Sequence, residues 1–125
     1  MFTTAGAFSG FSVGDVEAAR VFYGEVLGLD VALNEMGFLE IALPAGGHVL
    51  AYGKPDHTPA SFTILNFPVA DVESAVDDLR SRGVETKIYS DEQLPSDEKG
   101  IVRGWGPDIA WFRDPAGNVL AVLAG

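Results

Sequence analysis

Phe11-Ser-Val-Gly-Asp-Val-Glu-Ala-Ala19 and Phe67-Pro-Val-Ala-Asp-Val-Glu-Ser-Ala75 are one phrase written twice, 56 residues apart. Six of the nine positions are identical, which is hard to attribute to chance and marks an internal duplication. Each copy changes period at its aspartate. Before Asp15, Phe8, Gly10 and Ser12 fall on one side and Ser9, Phe11 and Val13 on the other, the alternation of a strand. Asp15 and Asp71 suit an N-cap, where a carboxylate accepts from the free N–H groups of the first turn. Glu17 and Glu73 follow where the helix dipole favours negative charge. Val16, Ala19, Tyr23 and Val26, then Val72, Ala75, Val76 and Leu79, continue at helical spacing. Gly28 and Gly83 stand where a left-handed residue ends each helix.

Working outward, the first half continues with strand-like segments at 29–35, 37–43 and 47–53, and Pro55 to Pro59 joins the halves. In the second half 84–89 reads as a strand, and 109–113 with 118–123 as a hairpin around Asp114-Pro-Ala-Gly117. Residues 90–106 form a loop long enough to suggest a functional lid or a mobile segment. The expectation is an α+β protein, one domain over 1–125, made of two βαβββ modules at about 1–55 and 60–125.

Composition narrows the function. With 125 residues, 47% apolar and 21% charged, the chain has the makings of one globular domain. No cysteine is present, so disulfides, thiolate metal sites and a cysteine nucleophile are excluded. A net charge of −10 repels nucleic acid and anionic membrane, and neither is expected as a partner. Met1 to Gly10 has no basic stretch leading into an apolar one, and no apolar run approaches the ~20 residues of a membrane span. A soluble, cytoplasmic protein is the expectation.

The phrases Phe11 to Tyr23, Glu25-Val-Leu-Gly-Leu29 and Trp111-Phe-Arg-Asp-Pro-Ala-Gly-Asn118 resemble the glyoxalase/bleomycin-resistance/dioxygenase (vicinal oxygen chelate) superfamily. The resemblance covers essentially the whole chain. It implies sheets curled around a shared cup with helices outside, and a homodimer. Its metal-using members carry a ligand on the first and last strand of each module. Here those positions align with Phe8, Ala51 (or, one residue on, Tyr52), Ile64 and Ala121. None but Tyr52 carries an N or O donor, and a Lewis-acid metal needs about three. No metal and no cofactor is therefore expected. The implied function is a small-molecule-binding protein of the bleomycin-resistance type, sequestering an antibiotic or aromatic metabolite. The alternative is a glyoxalase-like lyase or dioxygenase-type enzyme with an atypical or misaligned site.

Phe8, Ala51, Ile64 and Ala121 are expected to line the cup rather than fill it. Pairing across the last turn places Ala110 opposite Ala121 and Phe112 opposite Val119, both facing the cup, with Trp111 and Leu120 facing the helices. Asn66 shares the Ile64 face and either orients a ligand or bonds within the sheet. Trp105, between Gly104 and Gly106, either stacks on a planar ligand or caps a sheet edge. For Arg103 an ion pair with Asp97 and Glu98 is favoured over a ligand anion. Tyr52 and Phe38 are further aromatic candidates, and His48 and His57 read as structural or solvent-exposed.

Overall fold

A computed structural model describes residues 1–125 and divides them into two compact units, Met1–Pro59 and Ala60–Gly125. In the first, β1 (Ser9–Val13) leads into α1 (Val16–Arg20), followed by β2 (Asp30–Leu33), β3 (Leu39–Ala42) and β4 (His48–Gly53). The sheet order is β1-β4-β3-β2, with β1 parallel to β4 and the other pairs antiparallel. Asp15 starts the helix as expected, its carboxylate accepting from the Ala18 N–H at 3.1 Å. After Arg20 the helix widens into a π-helical stretch, Val21–Val26. Gly24 lies there, where a Cβ would come within 2.8 Å of Val31 on β2. Gly28, at φ 79°, ends it. Phe11, Val13, Ala19, Phe22, Tyr23, Leu39, Ile41, Val49 and Ala51 are buried together on the helix side.

The second unit runs β5 (Thr63–Val69), α2 (Val72–Ser81), β6 (Ile109–Arg113) and β7 (Val119–Ala124), in sheet order β5-β7-β6. Asp71 caps α2 through the N–H groups of Glu73 and Ser74 and the Ser74 hydroxyl. Val72 and Val76 pack on Ile101, Ala110 and Val122. The architecture is α+β, two small sheets of mixed strands each with one helix region.

The strand expected at 84–89 does not form. Val102 takes the edge of β6 instead, exchanging both backbone bonds with Ile109 at 2.8 and 3.2 Å. The 84–89 segment lies outside that bridge, held by the Thr86 hydroxyl donating to the Lys99 carbonyl at 2.7 Å. Gly100 permits the approach: φ is +84° and a Cβ would overlap the Thr86 carbonyl.

Candidate functional site

The sheet of the first unit has one face on its helix and one turned away. Phe11 and Val13 are buried on the helix side, so Phe8, Gly10 and Ser12 project from the other. Register places Leu50 beside Gly10 and Tyr52 beside Ser12. Ala51 pairs with Phe11 and Leu39, is fully buried and faces the helix, so its expected place on the open face is corrected to the neighbours Leu50 and Tyr52. Phe8 stacks on His48, ring centroids 4.8 Å apart, and Phe38 meets Tyr52 edge-on at 6.2 Å. Both histidines therefore belong to this face. His57 reaches it from the joining segment, its Nδ1 lying 2.7 Å from the Ser12 hydroxyl. No spacing in the sequence signals a contact between residues 45 apart; only Ser12's placement beside Phe8 hinted at it.

In the second unit β7 pairs with β5 so that Asn66 lies beside Ala121, as Leu50 lies beside Gly10 56 residues earlier. The first-unit counterpart of Ala121 is thus Leu50. Ile64 sits at the β-bulge between Thr63 and Leu65. The hairpin register differs by one from the expected pairing: Ala110 lies opposite Val122, Trp111 opposite Ala121 and Phe112 opposite Leu120. The cause is the turn. Asp114 and Asn118 close a three-residue loop with Gly117 at φ 84°, and the Asp114 carboxylate accepts from the N–H groups of Ala116 and Asn118. A slip of one reverses every side chain. Phe112 and Ala110 accordingly face α2, while Trp111 shares the opposite face with Asn66 and Ala121, the last of them fully buried. The Trp111 indole N–H donates to the Thr63 hydroxyl at 3.1 Å, and its ring meets Tyr89 edge-on.

Trp105 is 79% exposed and flanked by Gly104 and Gly106 at positive φ. The base of its loop is fixed by charge. Arg103 pairs with Asp97, and also with Glu73 and Asp108, but not with Glu98. Lys99 bridges Glu73 and Asp77 on α2 at 3.0 and 2.9 Å. An open groove of about 650 Å³ follows the 84–90 segment, bounded by Arg80, Lys87, Glu85 and Glu98. Its mixed charges and lack of a sheet wall distinguish it from the aromatic faces.

Phe8, Leu50 and Ala121 offer carbon only, His48 and His57 are the two imidazoles near the first unit's face, and nowhere do three or more His, Cys, Asp or Glu side chains gather in a metal-holding group.

In sequence, no curated protein matches the chain significantly. Solved structures do. TnmS3, an antibiotic binding protein from Streptomyces sp. CB03234, superposes with a TM-score of 0.72 at 25% identity, over 99% of this chain and 98% of its own. A glyoxalase/bleomycin resistance protein from the same organism gives 0.66 at 26% identity, over 95% and 99%. The oxidase ChaP-H2 shares the fold at 22% identity and a TM-score of 0.68, over 99% and 95%. The Glyoxalase/Bleomycin resistance protein/Dioxygenase superfamily model matches residues 7–122. Nearly the whole chain lies within that match, and the chain belongs to this superfamily.

Proposed function

We propose that this protein binds a planar, aromatic small molecule, an antibiotic or aromatic metabolite, and acts by sequestering it in the cytoplasm without a metal. The observation that carries this reading is the chemistry of the open sheet faces. Where a metal-using relative needs donors, this chain has Phe8, Leu50 and the fully buried Ala121, and aromatic rings stand on the same faces at Phe38, Tyr52 and Trp111. Apolar walls with a few polar groups, here Asn66, Ser12 and His57, are the usual make-up of a small-molecule site. TnmS3, described as antibiotic-binding, supports the reading at 25% identity. Trp105 serves as an exposed stacking partner, while Arg103, committed to three carboxylates, positions its loop.

Binding to the native state alone raises stability, so the test is a melting-temperature screen against planar aromatic antibiotics, bleomycin among them. A compound bound one to one, raising the melting temperature and recovered unchanged, is the expected result. About one equivalent of Zn, Ni, Mn or Fe in protein purified without a His-tag, with turnover of the compound, would overturn it. A homodimer is part of the proposal. Met36, Phe62 and Trp105 are largely exposed in the single chain, and sedimentation should show twice the chain's 13.2 kDa.

A further inference from the structure

Val84 to Ile88 has the composition of a strand and runs without a bend, yet it belongs to no sheet. No backbone N–H or carbonyl from Glu85 to Ile88 is hydrogen-bonded within the chain. We infer that this segment is a docking edge for a second copy of the chain, pairing antiparallel with its own counterpart about a two-fold axis at Thr86. The inference rests on the homodimer proposed above and names its contact. Along an extended chain, both backbone groups of one residue point to one edge and those of the next residue to the other. Gly100 lies against the Thr86 carbonyl, so Thr86 gives its edge to the loop and Glu85 and Lys87 hold the free one. In the two-fold register Val84 meets Ile88, Glu85 meets Lys87 and Thr86 meets itself. Apolar opposes apolar and each charge opposes its opposite, the cross-strand pairs that favour a sheet. A slip of one sets Glu85 against Ile88, and a slip of two sets Lys87 against Lys87 or Glu85 against Glu85. The Lys87 ammonium is fixed in place by Asp91 and the Ser96 and Asp97 carbonyls. Arg80, Glu85 and Glu98 line the same groove and enter no ion pair. Its two cations and two carboxylates cancel, so copies of an acidic chain meet there without net repulsion from the groove itself. A two-fold pairing also uses up the edge, which stops assembly at two copies.

Amide hydrogen exchange followed by NMR across a range of protein concentrations, beside sedimentation, tests the edge. The pairing is short, so the dimer should be weak and concentration-dependent. The Glu85 and Lys87 amides should exchange about tenfold more slowly once about nine-tenths of the chains are paired, while those of Thr86 and Ile88 stay level. Glu85→Pro removes a donor that bonds nothing within its own chain. By symmetry it removes two bonds from the dimer, whose dissociation constant should rise about tenfold or more. Glu85→Lys tests the same pairing without touching the backbone: it opposes like charges and should weaken the dimer most at low salt. A dimer whose amides at 85 and 87 do not slow, or one that survives either substitution unweakened, would overturn the docking edge and leave the homodimer standing on another surface. Protein that stays monomeric up to millimolar concentration would overturn both. Slowing of the two amides in monomeric protein by a compound from the melting-temperature screen would give the groove to the ligand and overturn the pairing.

Discussion

Asn118 is 1% exposed and both ends of its amide are engaged. Its Nδ2 donates to the Asp114 carboxylate at 3.1 Å, and its Oδ1 accepts the Ala60 N–H at 3.1 Å, tying the start of the second unit to its last hairpin. Replacing it by Ala removes both side-chain bonds, one of them to the buried Asp114 carboxylate, which keeps only its backbone donors, so Asn118→Ala should cost about 2 kcal/mol in urea unfolding. Asp97 is a different kind of anchor. Burial works to raise its pKa, but the N–H of Ile101, the Arg103 guanidinium and the N–H of Lys99 together hold it below the usual carboxylate value. A carboxylate with a depressed folded pKa stabilises fully above its unfolded pKa, and the contribution is lost as pH falls through the folded value. The loop carrying Trp105 should therefore loosen below about pH 4, read as a change in Trp fluorescence. Asp97→Asn should already show the loosened signal at pH 7 and lose that acid transition. An unchanged transition in the variant would assign it to another group.

At the scale of elements, local signals were the legible ones. Caps at Asp15 and Asp71, stops at Gly28 and Gly83 and the repeat itself are written in neighbouring residues, and the structure has each of them. The misreadings share a cause, because each depended on a partner that alternation does not name. Val84–Tyr89 has strand composition, yet Val102 holds the edge it would have joined. Phe112 and Trp111 exchanged faces because the turn closes at Asp114 and Asn118, one residue inside the expected pair. Ala51 and Tyr52 differ only by the same single step. Packing of 84–89 on the loop makes a sharp prediction at Gly100. Gly100→Ala meets both a left-handed φ and the Thr86 backbone, and should cost about 3 kcal/mol or more. Gly104→Ala, with a similar φ of +87° and open space around it, should cost only the backbone strain, about 1–2 kcal/mol. Equal losses in the two variants would show that the Thr86 contact contributes nothing.

For the whole molecule the deciding quantity is charge. Ten net negatives divide evenly, five on each half, so neither unit carries a net positive charge. Six of the eight cationic side chains are already held in ion pairs within their own unit. No helix is long and apolar enough to cross a membrane. What remains is a negative field around apolar, aromatic sheet faces, and such a field draws a ligand that is flat and positively charged. The apolar part of the affinity is indifferent to salt, whereas the field shrinks with the Debye length, from about 30 Å at 0.01 M to about 3 Å at 1 M. A naphthalene bearing a trimethylammonium group should then bind more tightly than 2-methoxynaphthalene at low salt, by about tenfold if the field supplies ~1.4 kcal/mol. Between 0.01 M and 1 M NaCl that advantage should fall toward nothing, while the neutral ether's affinity stays level. Calorimetric titration at three salt concentrations measures both curves. If the cation gains nothing at low salt, the acidic surface plays no part in recognition, and the faces select by shape and hydrogen bonding alone.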